Sequence, residues 1–189
     1  AQMNLATAKH CLYEIKEILP QQPTWKGHIH LAIAPTKDMG RMEWLVEKAT
    51  EIGFDEISFL NCQFSERHIL KTERVERIVI SAMKQSRKAW KPKINSMINL
   101  TDFIKTNTSR NKFICHCYPE IKRRDLFEQL SPLTDDVLVM IGPEGDFSVA
   151  EVEAAMAMGF NSASLGNSRL RTETAGISAI MQANLKLRK

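Results

Sequence analysis

The sequence predicts an α/β fold in which helices cover an open, mostly parallel β-sheet. The first observation is the order of the segments, because short apolar runs alternate with amphipathic helical patterns along most of the 189 residues. The second is the position of two glycine-containing loops, residues 141–145 and 165–176, which directly follow predicted strands. In open α/β sheets, loops at the carboxyl ends of strands bind ligands, so two such loops predict a single pocket.

Six segments have the composition and the length of strands. They are residues 10–18, 28–34, 56–60, 112–117, 137–141 and 162–165. Two intervening segments have apolar residues at three- and four-residue spacing, which predicts amphipathic helices. The helical positions are Met42, Leu45, Val46, Ala49 and Ile52 in the first segment, and Val75, Ile78, Val79, Ala82 and Met83 in the second.

Two more helices are predicted in the C-terminal part. Ser148 and Glu151 have the spacing of a capping box, so a helix is expected to begin there and to end at Met158. The last helix is expected to begin near Thr172. Its apolar stripe faces either the core or a partner chain. The stripe consists of Ala175, Ile177, Ile180, Met181 and Leu185.

The first 23 residues differ from the rest of the chain. Residues 4–18 have strand character, and the polar, proline-flanked segment 20–23 then interrupts the pattern. We therefore expect a domain boundary near Thr24, with residues 1–23 separate from a main domain at residues 24–189.

Composition limits the class of protein without selecting an activity. A chain that is 43% hydrophobic can bury one sizeable core, and a formal charge of +4 indicates a mild affinity for polyanions. No apolar run approaches the roughly 18 residues of a membrane span, and no signal-peptide pattern opens the sequence. These features predict a soluble protein inside the cell.

The four cysteines do not have the spacing of a zinc site. On a strand, Cys115 and Cys117 would share one face while His116 points to the other. We therefore expect no metal, and we expect reduced thiols in the core. The four residues are Cys11, Cys62, Cys115 and Cys117.

The residues of the two loops narrow the choice of ligand. Neither loop has the P-loop pattern, and no Gly-x-Gly-x-x-Gly opens a helix, which argues against nucleoside triphosphates and NAD. Glu144 stands where a phosphate site would need bare N–H groups or a lysine, so its carboxylate favours a neutral or cationic ligand such as S-adenosylmethionine. The alternative is that Glu144 caps a neighbouring backbone turn.

The loops and several upstream segments resemble one known family, the bacterial 16S ribosomal RNA (uracil-N3)-methyltransferases of the SPOUT superfamily. The resemblance covers residue 27 to the C-terminus and is most specific in the second loop. The matching sequences are PTKD at residues 35–38, EKATEIG at 47–53, SER at 65–67, QS at 85–86, IGPEG at 141–145, LG at 165–166 and LRTETA at 170–175.

The resemblance implies a fold that pattern reading alone would reject. SPOUT catalytic domains have a C-terminal trefoil knot, although chains almost never thread a loop. The family also has an N-terminal PUA-like RNA-binding β-barrel. Residues 1–23 would be the last strand or two of that barrel in a fragment of a longer protein, and a natural short arm is the alternative.

The cofactor implied by the resemblance is S-adenosylmethionine, held in a bent shape between the two loops and the preceding strand end. The implied protein is a cytoplasmic homodimer with its sites at the subunit interface, and its substrate is N3 of a uridine in the 16S rRNA of the small ribosomal subunit. The expected cofactor-binding residues are Cys117, Ile141, Gly142, Pro143, Glu144, Gly145, Leu165, Gly166, Leu170, Thr172, Thr174 and Ala175.

The chemistry of uracil suggests roles for two residues of the second loop. Uracil N3 carries a proton, so an enzyme must stabilise the uracil anion and align N3 with the methyl group. Arg171 is the candidate for the electrostatic role, with phosphate binding or an ion pair with Glu173 as alternatives. Since neither loop contains a histidine, Glu173 is the candidate proton acceptor, unless it only provides a negative charge at the helix N-terminus.

Basic residues around the opening are expected to bind RNA. The candidates are Lys37, Arg41, Arg67, Arg87 and Arg169. The basic stretch 84–93 adds Trp90 as a stacking surface, with a solvated helix face as the alternative. The sequence departs from the family where Ser168 precedes Arg169 and where Asp146 replaces a common glycine.

Two other functions stay open. One is a ribose 2′-O-methyltransferase of the same superfamily that acts on tRNA or rRNA. The other is a non-catalytic RNA-binding module, which would not need the tight glycine loops.

Overall fold

The structure, a computed structural model, describes residues 1–130 and 135–189 and contains two β-sheets. The smaller sheet is an antiparallel pair formed by β1 (Gln2–Ala6) and β2 (Cys11–Glu14). The larger sheet has the order β5-β4-β3-β8-β6-β9-β7, and its described strands pair in parallel. Its strands are β3 (Ile29–Ile33), β4 (Glu56–Asn61), β5 (Lys93–Asn99), β6 (Asn111–Cys115), β7 (Arg124–Asp125), β8 (Val137–Ile141) and β9 (Asn161–Ser164).

Helices lie between the strands, as the alternating pattern predicted, and the α/β fold class is confirmed. The helices are α1 (Met39–Ile52), α2 (Thr72–Gln85), α3 (Leu100–Thr106), α4 (Leu126–Leu130), α5 (Val149–Ala157) and α6 (Thr172–Leu187). The capping box at α5 is present, since Ser148 Oγ accepts from the Glu151 N–H and Glu151 Oε2 accepts from the Ser148 N–H.

All six predicted strands overlap observed ones, and β1 is covered only in part, by the stretch 4–18 with strand character. Pattern reading missed β5, β7, α3 and α4. The strand β5 is at the sheet edge and is only half-buried, so its sequence, KINSMIN, is not a continuous apolar run. The other three elements contain seven residues or fewer, which is too short for a periodic pattern to stand out.

The core lies on both faces of the larger sheet. Alternate residues of β8 point to opposite sides, so Val139 packs on the face that α1, α2 and α6 cover, whereas Met140 packs with α3 and α5. Helix α6 packs closely on the first face. A Cβ built on Gly176 would lie 2.6 Å from Leu45 Cδ1 and 3.0 Å from Ile33 Cδ1.

The apolar stripe predicted on α6 divides between core and surface. Ile180 is buried, and Ala175 and Ile177 pack against the core, whereas Met181 and Leu185 are exposed. The exposed pair lies on a helix that packs against α1, where Trp44 is also exposed.

The β1–β2 hairpin buries none of its side chains in the described structure. Its strands and the chain that follows carry exposed apolar residues, namely Met3, Leu5, Leu12, Tyr13, Ile15, Ile18 and Leu19. Burial begins at Trp25, whose indole N–H donates to Asp55 Oδ2 at 2.8 Å. The same oxygen accepts from the Ile29 N–H at 2.7 Å, which fixes the start of β3.

The expectation of four core thiols is wrong for two cysteines. Cys62 and Cys115 are buried, and burial raises the pKa of both thiols, but Cys11 and Cys117 are exposed. The strand argument fails at Cys117 because β6 ends at Cys115. Within residues 1–130 and 135–189, no cluster of three or more His, Cys, Asp or Glu residues could hold a metal ion, and no helix is long and apolar enough to cross a membrane.

Candidate functional site

The two loops identified in the sequence line one cavity of about 970 Å3. The first loop follows β8 and the second follows β9, and β6 lies between these strands in the sheet. Since all three strands are parallel, their carboxyl ends meet at one edge, and the segment after β6 becomes a third wall. This third wall includes His116, Cys117, Lys122 and Arg123.

Most of the predicted cofactor-binding residues lie in the cavity wall. These are Cys117, Ile141, Gly142, Pro143, Glu144, Leu165, Gly166, Leu170, Thr172 and Ala175. Two predicted residues lie outside it. Gly145 faces Phe64, whose Cβ would be 3.1 Å from a Cβ built on the glycine, and Thr174 is exposed on α6.

The two loop glycines are required for different reasons. A Cβ built on Gly142 would lie 2.9 Å from Phe147 N and 3.1 Å from Asp146 C, so the loop's own backbone excludes a side chain. Gly166 has open space around its Cβ position, but its φ of +97° is a conformation that other residues rarely adopt. The turn of the loop itself is therefore sufficient to explain the glycine at position 142.

Glu144 bonds to the backbone of a neighbouring loop. Its Oε1 accepts from the Lys37 N–H at 2.9 Å, which joins the loop after β8 to the loop after β3. This geometry corresponds to the alternative considered for Glu144, the capping of a backbone turn.

Asp146 ties two walls of the cavity together. Its Oδ2 accepts from the Cys117 N–H at 2.7 Å, and its Oδ1 accepts from the Phe147 N–H at 2.8 Å. It adopts a left-handed conformation, with φ of +69°, which aspartate tolerates better than most residues do. Aspartate therefore fills this glycine-like position and adds two hydrogen bonds that a glycine could not make.

The cavity is basic. Its two carboxylates, Glu144 and Asp146, are both hydrogen bonded to backbone N–H groups. Five cationic residues oppose them in the wall, namely Arg41, Lys122, Arg123, Arg169 and Arg171. The argument from the Glu144 carboxylate alone did not include the cations that α1 and the segment after β6 contribute to the wall.

Arg171 and Glu173 have different environments. Arg171 is exposed in the cavity wall at the N-cap of α6, and within the described residues it forms no ion pair. Glu173 is buried in the first turn of α6 and is not part of the wall. Its Oε1 lies 3.9 Å from Arg41 Nη1, and its Oε2 has no hydrogen-bond partner among the described residues. The carboxylate therefore faces Arg41 rather than Arg171.

Sequence reasoning found no histidine in the site, but His116 lines the cavity. Its Nδ1 accepts from the Tyr118 N–H at 3.3 Å, which leaves Nε2 as the donor to Ser162 Oγ at 2.7 Å. Burial lowers the pKa of the imidazole, which favours its neutral form. With both nitrogens engaged, His116 holds β6 to β9 and is not free to accept a proton. His116 directly follows β6, and a residue at the carboxyl end of a parallel strand is a candidate for a ligand site, so the sequence did contain a signal for it.

The predicted RNA-binding residues fall into three groups. Arg41 and Arg169 line the cavity, and Arg87 is exposed just after α2. Lys37 and Arg67 build the neighbouring loop. Lys37 Nζ lies 2.8 Å from Glu66 Oε2, and Arg67 donates to the carbonyls of Thr36 and Lys37.

Trp90 is not the exposed stacking surface expected from the sequence. It packs edge to face against the buried Trp25, with 5.3 Å between the ring centroids. Lys88 Nζ lies 5.2 Å from the centroid of Trp90. Two other cations of this stretch face carboxylates, since Lys91 pairs with Glu76 and Lys93 with Glu56.

A parallel α/β sheet with a basic cavity at its strand ends is compatible with an enzyme that acts on nucleic acid. The RNA methyltransferase domain family matches residues 23–184, and the chain belongs to this family. Its sequence is 35% identical over 149 residues to ribosomal RNA small subunit methyltransferase E of Aquifex aeolicus. The alignment covers 77% of this chain and 63% of that relative, so the chain spans less than two thirds of its length.

Solved structures with the same fold include two of particular relevance. A probable rRNA-methyltransferase from Porphyromonas gingivalis is 42% identical with a TM-score of 0.88, covering 98% of this chain and 78% of that one. Ribosomal RNA small subunit methyltransferase E from Neisseria gonorrhoeae, bound to S-adenosyl methionine, is 29% identical with a TM-score of 0.65. That match covers 82% of this chain and 64% of the other. The family identified from the loop motifs is thus confirmed.

Proposed function

We propose that the protein is an S-adenosylmethionine-dependent methyltransferase that methylates N3 of a uridine in the 16S rRNA of the small ribosomal subunit. The observation that carries the proposal is the meeting of both loop motifs in one cavity of about 970 Å3. Cavities of this size hold drug-sized ligands. The name of the Aquifex relative and the bound methyl donor in the Neisseria structure support the same activity.

The residues of the cavity fit the proposed cofactor. The wall combines apolar side chains such as Ile141 and Leu165 with cations that match the carboxylate of S-adenosylmethionine. Open space next to Gly166 leaves its backbone accessible. When bound, the cofactor supplies a methyl group on a positively charged sulfur.

The protein's own part in the reaction is to position the uracil and to stabilise its anion. Arg171, exposed in the wall and without an ion pair among the described residues, is the residue that we assign to the uracil carbonyls. Glu173 lies outside the cavity wall, so we assign it a positioning role, in which its buried carboxylate orients Arg41. The N3 proton then leaves to solvent.

The proposed fold includes the trefoil knot of SPOUT domains in residues 24–189. The path of the second loop supports this proposal. The loop starts at the end of β9, next to β6, and leads to α6. Because α6 packs on β8 and β3, which lie beyond β6 in the sheet, the chain must pass the end of β6. We further propose that residues 1–23 belong to an N-terminal PUA-like RNA-binding unit, because the exposed apolar residues of the β1–β2 hairpin suit the core of a β-barrel.

The proposed assembly is a homodimer that works in the cytoplasm, the location of ribosomal RNA. The exposed apolar side chains of Trp44, Met181 and Leu185, on two helices in mutual contact, support an interface there. The binding surface for RNA is the basic rim of the cavity together with Lys37, Arg67 and Arg87.

Two measurements test the function. The protein, S-adenosylmethionine and small subunits from a strain lacking the activity should yield 3-methyluridine in 16S rRNA by mass spectrometry. Methylation of a ribose 2′-oxygen would instead favour the alternative enzyme of the superfamily. If calorimetry detects no binding of S-adenosylmethionine at millimolar concentration, the protein is a non-catalytic RNA-binding module.

A further inference from the structure

The cavity contains an arginine that neither loop motif contributes. Arg123 is half-buried in the wall, and its Nη1 donates to the backbone carbonyl of His116 at 2.6 Å. A guanidinium has five N–H donors. Within residues 1–130 and 135–189, this is the only hydrogen bond of the Arg123 side chain, and no carboxylate forms an ion pair with it. The group is thus oriented while most of its donors stay available.

The acceptor that orients Arg123 is itself fixed. His116 is buried, with one imidazole nitrogen on Ser162 and the other on the Tyr118 N–H. The Tyr118 hydroxyl donates to the Phe147 carbonyl at 2.6 Å, so this segment is also tied to the loop after β8. Such a framework lowers the entropy cost of holding the guanidinium in a binding position.

Arg123 is anchored on its other side as well. The next residue begins β7, which pairs with β9 at Ala163 and Ser164. The carbonyl of His116, which accepts the hydrogen bond, follows β6 directly, and the backbone of Arg123 directly precedes β7. Arg123 is therefore held by the sheet at both points.

The charges around Arg123 leave it without a counterion in the described structure. Glu144 and Asp146, the carboxylates of the wall, bond to the backbone N–H groups of Lys37 and Cys117. Burial and the negative charge of Asp146 raise the pKa of the Cys117 thiol, and the positive charges of Arg123 and Arg169 oppose that rise. Both cations therefore act on the same part of the cavity, and both would attract an anionic group placed there, against the repulsion from Asp146.

We propose that Arg123 binds an anionic oxygen group inside the cavity, either the carboxylate of the methyl donor or a phosphate next to the target uridine. The planar fork of arginine matches both groups, because each presents two oxygens to parallel N–H donors. Arg41 already faces two carboxylates, Glu173 and Asp38, whereas Lys122, Arg169 and Arg171 are exposed. Among the described residues of the wall, Arg123 is therefore the cation that is half-buried and has no carboxylate paired with it. This inference rests on the proposed function and extends it to a third segment.

The test of the carboxylate source compares two methyl donors. Arg123→Met removes the charge and keeps an unbranched side chain, and calorimetry then gives the affinity for S-adenosylmethionine and for its decarboxylated form. If Arg123 binds the carboxylate, the variant binds S-adenosylmethionine about ten- to a hundredfold more weakly, the loss expected for a charge-assisted hydrogen bond. The decarboxylated donor, which lacks the group, should bind the variant and the parent protein equally.

The test of the phosphate source uses deproteinised 16S rRNA. If Arg123 binds a phosphate, Arg123→Met leaves both donor affinities unchanged and lowers the slope of log affinity against log salt by roughly 0.7 to 0.9. Arg123→Lys keeps the charge, so it should retain the parental salt slope.

Arg124→Met is the matched control, because Arg124 is the next residue, is exposed and is not part of the cavity wall. It should change neither donor selectivity nor salt slope. Unchanged donor affinities and an unchanged slope in Arg123→Met would overturn the inference. An equal loss for both donors with a lower melting temperature would also overturn it, since Arg123 would then only support the fold. Failure of the parent protein to bind either donor would instead refute the proposed function.

Discussion

Protonation of His30 should destabilise the fold in a defined pH range. His30 is buried in β3, where its Nε2 lies 2.9 Å from Ser58 Oγ and its ring packs edge to face on Phe103. Burial lowers the pKa of the imidazole to about 4, with His28 and Lys93 lowering it further and Glu56 opposing them. The folded protein therefore holds His30 neutral at a pH where the unfolded chain would be protonated.

The sign and the size of the effect follow from proton linkage. Between the unfolded value of 6.5 and the folded value of about 4, the unfolded state binds more protons, so the free energy of unfolding decreases as the pH falls. One proton corresponds to about 1.4 kcal/mol per pH unit. Over this range the loss attributable to His30 is about 3 kcal/mol, and below pH 4 it stops growing.

The assay is urea denaturation at half-unit steps from pH 7.5 to pH 4, applied to the parent protein and to His30→Gln. Glutamine can still hydrogen bond to Ser58 but does not titrate. His116 also has a lowered pKa and stays in both proteins, so the difference between the two curves isolates His30. Glu56, whose pKa is lowered to about 2, loses its contribution mainly below pH 4.5. Parallel curves for the two proteins between pH 6.5 and pH 4 would refute the reasoning.

Three further predictions concern the site and the assembly. Gly142→Ala should destabilise the fold by about 1 to 3 kcal/mol and weaken donor binding, because its Cβ would lie 2.9 Å from Phe147 N. A Cβ at position 166 would meet no atom within 4 Å, so Gly166→Ala should lower the free energy of unfolding by about 1 to 2 kcal/mol only because of the φ of +97°. In crystal structures, the loop should therefore shift in Gly142→Ala and not in Gly166→Ala; equal shifts would contradict this difference. Arg171→Lys should reduce methyl transfer far more than donor binding, since lysine lacks the planar fork; equal losses in single-turnover and calorimetric measurements would indicate a cofactor role. Leu185→Glu should convert the proposed dimer to monomer in sedimentation experiments, with Lys189→Glu, at an exposed residue beyond the end of α6, as the control. A dimer that persists in Leu185→Glu would place the interface elsewhere.

Local patterns were sufficient for the elements that contain long apolar runs. The strand β8 has five consecutive apolar residues and α1 has a regular stripe, so both were predicted close to their observed bounds. The edge strand β5 was missed because it is only half-buried and has no continuous apolar run, and β7 was missed because it contains two residues. The packing of the partly buried Trp90 against Trp25 was missed for a different reason, since residues 65 positions apart meet only after folding.

The sequence by itself determined the fold class, the family and the position of the ligand loops. These features depend on short-range periodicity and on glycines whose backbone geometry is local. Only the tertiary structure decided the charge of the cavity and the partner of Glu173. The physical reason is the order β8-β6-β9, which places the segment after β6 between the two loops and adds Lys122 and Arg123 to their wall. Helix packing likewise brings Arg41 of α1 to the buried carboxylate on α6, a contact between residues 132 positions apart.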